Sequence, residues 1–202
     1  MRLVDPTAFA DDYLALEYLA SEPYTSFVYE SPAQARSLAR QLFERGLGEY
    51  SKPFGTAGLD DDRSTVVGML AYLDGGELRR ARMDVAIALV REGLVTDDPM
   101  SERISLAAET MMAVDESDLY LARIAVADHA RGRGIGTMLM AELERAARAR
   151  GKTRLVLEVS PVHEAALKLY ERAGFEVADE QHVDDPATGR SLAYRHMIKP
   201  LR

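Results

Sequence analysis

The feature that most constrains this chain lies in residues 119–137, which read L-Y-L-A-R-I-A-V-A-D-H-A-R-G-R-G-I-G-T. An apolar, β-favouring run ends at Val126, a short polar turn follows, and from Ile135 the apolar positions take helical spacing. A strand that feeds glycines opening a helix makes an anion cradle. Glycine lets backbone come close to a ligand, and the first N–H groups of a helix have no partner inside it. Arg131 and Arg133 within the loop add charge that suits a pyrophosphate.

At 202 residues the chain reads as a single domain over 1–202, long enough to bury a core without staples. Apolar content of 47% with 29% charged residues fits a globular protein, not a disordered one. The net charge of −8 argues against nonspecific binding to nucleic acid or to an anionic membrane, so neither is expected as a partner. No cysteine is present, which excludes disulfides, thiolate metal sites and a cysteine nucleophile. His129, His163, His182 and His196 show no metal-ligand spacing, so no metal is expected. The first twenty residues lack a signal pattern and the apolar runs are too short to span a bilayer, which makes a cytoplasmic protein the expectation.

Along the chain, residues 2–4 read as a short strand and Asp5-Pro6-Thr7 as a helix start. Leu14, Leu16, Tyr18 and Leu19 predict a well-buried first helix, and residues 24–29 are β-favouring. Ser31-Pro32 opens a second helix with Leu38, Leu42 and Phe43 on one face and Gly46 as its stop. Residues 54–59 and 65–73 read as an antiparallel hairpin around Asp60-Asp61-Asp62-Arg63. Gly75-Gly76 break the pattern, and helices are predicted over 77–93 and 99–114. Asp98-Pro99 starts the second of these, and Ile104, Ala107, Ala108, Met111 and Met112 form its stripe.

After the glycine loop, Ile135, Leu139, Leu143, Ala146 and Ala147 give a helix its buried face, and Glu144 and Arg148 stand at i,i+4 spacing. Residues 153–159 suit a central strand, and Ser160-Pro161 is read as the cap of a helix stopped at Gly174. Two last strands, 175–183 and 191–198, follow. Strand, glycine loop, helix and central strand form a β-α-β unit, so strands 119–126 and 153–159 should lie parallel and adjacent, while the hairpins on either side make the sheet mixed.

Two phosphate loops fail on residues. A Walker A loop needs Gly-Lys-Ser/Thr, which is absent, and the dinucleotide fingerprint needs a glycine where Thr137 stands. Arg131-Gly132-Arg133-Gly134-Ile135-Gly136 instead resembles the acetyl-CoA loop of the GCN5-related N-acetyltransferases, Arg/Gln-x-x-Gly-x-Gly/Ala after a strand ending in valine. A second block strengthens the resemblance. Val159, His163, Ala166, Leu169-Tyr170 and Gly174-Phe175 follow the family's V-x3-N-x2-A-x2-L-Y-x3-G-F, with His163 in place of the usual asparagine. Asp128 also replaces a common proline, and residues 194–199 resemble the family's last strand. The likeness covers residues 119–201 closely and the first half only in the order of its elements.

The resemblance implies an α/β (α+β) fold: a mixed, mostly antiparallel twisted sheet with helices on both faces and a splayed parallel pair, 119–126 and 153–159. Residues 74–117 would be a helical insertion before the fourth strand. It implies an N-acetyltransferase in which an amine attacks acetyl-CoA directly, with no metal. The cofactor contacts would fall on Ile124, Ala125, Val126, Arg131, Gly132, Arg133, Gly134, Ile135, Gly136, Thr137, His163, Ala166 and Tyr170. Val126 N–H would face the thioester oxygen and Tyr170 would protonate the departing thiolate. Glu158, in a Leu-Glu-Val that family members acting on protein N-termini share, is the candidate base. A buried acid paired with Arg123 is the competing reading of Glu158, and a core residue that of Tyr170. The insertion would either shape the amine pocket or serve as a packing element, possible homodimer contacts included. The acceptor stays open between a protein N-terminus, a lysine and a small amine, and a non-catalytic acyl-CoA-binding module is the alternative to an enzyme.

Overall fold

The computed structural model describes residues 1–62, 64–91, 93 and 98–201. Arg63 of the predicted turn, Glu92 in the predicted helix 77–93 and the side chain of Asp98, read as a cap, lie outside them. The described strands are β1 (Arg2–Val4), β2 (Gly55–Leu59), β3 (Val66–Asp74), β4 (Asp118–Val126), β5 (Arg154–Val159), β6 (Glu176–Asp185) and β7 (Arg190–Pro200). They form one sheet in the order β1-β2-β3-β4-β5-β7-β6, antiparallel throughout except for the parallel pair β4–β5.

Leu155, Val156 and Leu157 of β5 are buried on successive faces, the mark of a strand covered on both sides. Helix α1 (Ala10–Ala20) and helix α6 (Ile135–Ala149) both pack on β3 and β4. In α6 the stripe Ile135, Leu139, Leu143, Ala146 and Ala147 is buried as its spacing predicts, each large side chain contributing roughly 1.5–3 kcal/mol of burial. Ser31 caps α3 (Pro32–Glu44) by accepting from Gln34 N at 3.2 Å, as its sequence position predicts. The insertion is helical: α4 (Gly75–Arg91) and α5 (Asp98–Glu109) connect β3 to β4.

Four expectations are corrected. The β-favouring residues 24–29 form a short helix, α2 (Tyr24–Val28). Phe27 and Val28 enter a second core cluster with Leu38, Leu42, Met100, Ala107 and Leu192. The carbonyls at the end of α2 are met by arginines from distant elements, Val28 O by Arg103 Nε at 2.8 Å and Phe27 O by Arg190 Nη1 at 3.1 Å. Tertiary packing thus overrides local propensity. Helix α5 stops at Glu109, five residues short of the predicted end. Thr110 Oγ1 takes the Ala107 carbonyl at 2.8 Å, and the N–H groups of Thr110 and Met111 reach back only three residues. Met111 and Met112 therefore leave the helix. Ser160 does not cap α7 (Glu164–Arg172): a turn closed by His163 N on Ser160 O at 3.0 Å intervenes, and His163 holds the N-cap position. Leu19, in the helix read as well buried, is 51% exposed.

Candidate active site

The β4–β5 pair is closed at one end and open at the other. Residues 118–121 pair in parallel with 154–157, and no pairing follows. At the closed end the buried Asp118 receives Arg154 through Nε at 2.7 Å and Nη2 at 2.8 Å. Beyond it β4 stays on β3 and β5 stays on β7, so the two strands part. Ala127 N–H donates to Val67 O at 3.0 Å, toward β3. N–H groups alternate in side along an antiparallel strand, which turns Val126 N–H the other way, into the gap. A cleft of about 780 Å³ fills that gap.

The glycine loop forms one end of this cleft. Gly132 (φ +75°) and Gly134 (φ +79°) adopt left-handed backbone that side chains resist. Gly134 is the N-cap of α6, and among the described residues no side chain caps this end, so the N–H groups of the first turn are open to a ligand. Gly136 is needed for another reason. A Cβ there would stand 3.2 Å from Leu169 Cδ2, so its absence lets α6 sit close against α7.

The two loop arginines are placed differently. Arg131 lines the cleft and pairs with Asp128 at 2.8 Å. Arg133 is not among the lining residues. Its guanidinium forks onto Asp60 in the β2–β3 turn at 3.0 and 2.9 Å and so ties the loop to that hairpin. Ile124, Ala125, Val126, Gly132, Gly134, Ile135, Gly136, Thr137, His163, Ala166, Tyr170 and Glu158 all line the cleft together.

Tyr170 is 6% exposed, and among the described residues its hydroxyl makes no hydrogen bond. Burial alone pushes its phenol well above the usual tyrosine value, so it is protonated at neutral pH. His163 reaches across the rim, its Nε2 2.6 Å from Glu22 O. A carbonyl only accepts, so Nε2 carries the proton.

Glu158 does not pair with Arg123. Its Oε1 accepts from Met112 N at 2.5 Å and its Oε2 from the Tyr120 hydroxyl at 3.0 Å. Burial pushes its carboxyl above the ordinary value, against the pull of the Met112 N–H and of Arg82. Arg123 goes instead to Ser21 Oγ (2.9 Å), Ala122 O (2.6 Å), Glu17 (3.5 Å) and Glu49 (3.9 Å). Burial opposes its charge, and Glu49 and Glu17 outweigh burial and hold it protonated. Glu49 also binds Arg82 Nε at 2.7 Å, so one carboxylate serves two guanidiniums.

Sequence reasoning missed Tyr120, Met112 and Arg82 as neighbours of Glu158, and Glu22 and Tyr194 as parts of the cleft wall. Tyr120 carried a signal: it pairs with Val156, two residues before Glu158, so a parallel register puts both side chains on one face. Nothing in the order of residues marks the other four.

The mixed sheet opens one parallel pair beside a glycine-opened helix, and comparison with known proteins gives the class of protein that carries this arrangement. The chain belongs to the acetyltransferase (GNAT) family, whose profile matches residues 14–175, and is by that membership an N-acetyltransferase. Acetyl-CoA is the cosubstrate this family implies. No curated protein matches the chain.

Solved structures share the fold. An N-acetyltransferase from Staphylococcus aureus Mu50 aligns at TM-score 0.68 and 17% identity, over 98% of this chain and 100% of its own. A ribosomal-protein-alanine N-acetyltransferase from Brucella melitensis aligns at 0.60 and 21%, covering both chains fully (100% each). A phosphinothricin acetyltransferase from Sinorhizobium meliloti, in complex with AcCoA, aligns at 0.58 and 16%, over 99% and 88%.

Proposed function

We propose that this protein moves the acetyl group of acetyl-CoA to a primary amine by direct attack, with Glu158 as base and Tyr170 as proton donor. One observation carries the reading: Val126 N–H, Glu158 and Tyr170 face one cleft whose far end is the open first turn of α6. The acetyl-CoA loop is built from residues 131–137, with Arg131 at the mouth of the cleft and Arg133 fixing the loop through Asp60.

Acetyl-CoA supplies an activated thioester, and the residues of this chain do the rest. The incoming amine arrives protonated, and Glu158 takes the proton directly or through one water. Val126 N–H donates to the oxygen on which negative charge develops as the new C–N bond forms. Tyr170 gives a proton to the sulfur as the C–S bond breaks, its low exposure keeping that proton in place until then, and the second nitrogen proton, released as the amide forms, restores the phenol through water. Ile124, Ala125, His163 and Ala166 supply the remaining wall of the cofactor site.

The insertion, residues 74–117, belongs to the amine side, since it brings Met112 and Arg82 to Glu158. The acceptor is a protein N-terminus, a lysine or a small amine, and the protein works in the cytoplasm. No helix among the described residues is long and apolar enough to cross a membrane.

The test is CoA release from acetyl-CoA with a panel of amines: peptides beginning with alanine, lysine peptides, polyamines and phosphinothricin. Glu158→Gln should lower kcat/KM for the accepted amine by about 10²-fold or more and leave the KM for acetyl-CoA unchanged. Because burial raises the Glu158 carboxyl, wild-type activity should rise with pH through a midpoint above the ordinary glutamate value, and the variant should lose that rise. Saturable acetyl-CoA binding without CoA release from any amine would support the non-catalytic acyl-CoA module instead.

A further inference from the structure

Glu158 and His196 are direct partners across the antiparallel β5–β7 pair, so their side chains leave the same face of the sheet. Both grip the short segment that joins α5 to β4. His196, 7% exposed, places Nε2 2.7 Å from Thr110 O, and two residues on Met112 N–H meets Glu158 Oε1 at 2.5 Å. The accepting atom on the segment is a carbonyl, so His196 Nε2 is the donor and the ring is held in the Nε2–H form or as the cation. Thr110 itself is fully buried, and its hydroxyl donates to the Ala107 carbonyl at 2.8 Å.

We infer that His196 is a positioning residue: by holding Thr110 it keeps the Met112 N–H on Glu158 and so fixes the carboxylate that faces the amine. The consequence for rate rests on Glu158 being the base, whereas the clamp itself does not. Other groups face Glu158 from the elements around it: Arg82 of α4, Tyr120 of β4, Tyr194 of β7 and Glu49 from the segment before β2. Asp179 of β6 lies 3.9 Å from His196 Nδ1. Releasing the segment removes a donor that favours the charged carboxylate and leaves these groups in place, so Glu158 should bind its proton more tightly.

The experiment titrates the Glu158 side-chain carboxyl by ¹³C NMR, its signal identified by loss in Glu158→Gln, in wild type, His196→Phe and His196→Gln. His196→Phe keeps bulk and removes the donor. The Glu158 midpoint should rise by about one pH unit, and kcat/KM for the amine should fall about tenfold below that midpoint, with the KM for acetyl-CoA unchanged. His196→Gln, which restores a donor, should return both toward wild type. Met112→Pro removes the N–H directly and sets the full size of the shift, and His196→Leu takes the place of His196→Phe if the latter does not fold. An unchanged midpoint in the folded variants overturns the inference, even if melting falls and activity drops evenly at every pH. A midpoint that moves while the rate profile stays fixed upholds the clamp and overturns Glu158 as the base.

Discussion

At Tyr170 burial alone keeps the phenol protonated. The side chain packs beside Phe175, ring centroids 6.0 Å apart, and its hydroxyl has no partner among the described residues. Tyr170→Phe therefore leaves no donor or acceptor orphaned, and unfolding free energy should change by less than about 0.5 kcal/mol. If the hydroxyl protonates the sulfur, kcat should fall by about 10²-fold with little change in the KM for acetyl-CoA. Steady-state kinetics beside a melting curve separate the two effects, and an undiminished kcat would assign Tyr170 to the core alone. The place of Tyr170 on the cleft wall was legible in the sequence because Leu-Tyr-x3-Gly-Phe lies within one helix and its stop, a local pattern. Of the surroundings of Glu158 only Tyr120 was within reach, through the parallel register, whereas Met112 stands 46 residues away. Arg123 was the natural partner by charge, but its bonds to Ser21 and Ala122 and its ion pairs with Glu17 and Glu49 point it elsewhere.

Among the elements, α6 was the most legible. Strand end, short polar turn, positive-φ glycines and helical stripe follow one another in sequence. Gly134→Ala places a Cβ at φ +79° with open space around it, so the cost is backbone strain, about 1–2 kcal/mol, with no clash. The strain can be relieved only by moving the first turn, and acetyl-CoA affinity should fall more than stability does. Titration calorimetry beside melting curves reads both, and an unaltered Kd would remove the first turn of α6 from the cofactor site.

The far side of the same helix makes a separate prediction. Lys199 of β7 lies 2.5 Å from Glu144 and Arg148 lies 2.7 Å away, and these bonds hold the Glu144 carboxyl below its ordinary value. A lowered folded-state value gives stability that is full above the unfolded value and is lost as pH falls through the folded one. Glu144→Gln should therefore cost about 0.5–1 kcal/mol near neutral pH, the range for a partly exposed pair, and the gap should close on acidification below about pH 4. Denaturant melts at two pH values check this, and a gap that persists in acid would mean that packing, not charge, is lost. Where elements were misread, long-range contacts decided. Arg103 and Arg190 hold α2 helical, and Thr110 ends α5 early because its own hydroxyl and His196 claim the backbone there.

Across the whole molecule, the cleft is walled by parts far apart in sequence: the end of α1 with Glu22, the splayed β4 and β5, the first turn of α6, and α7. The closed end of the splay is pinned by Asp118 and Arg154, while the open end is bridged at the rim by His163 and Glu22. A ligand that fills the cleft adds contacts to all of these parts at once, and none of them survives unfolding. Acetyl-CoA at about a hundred times its Kd should therefore add roughly 2.7 kcal/mol to unfolding free energy, visible as a raised Tm. NAD and ATP are the controls, because Thr137 breaks the dinucleotide fingerprint and the Walker triplet is absent. His163→Ala removes the bridge to Glu22 without touching the glycine loop. It should lower the Tm of the free protein slightly and keep most of the acetyl-CoA shift if the imidazole serves the rim. Loss of the shift in this variant would mean that His163 holds the cofactor itself. A wild-type protein that melts at the same temperature with and without saturating acetyl-CoA would sink the cofactor site altogether.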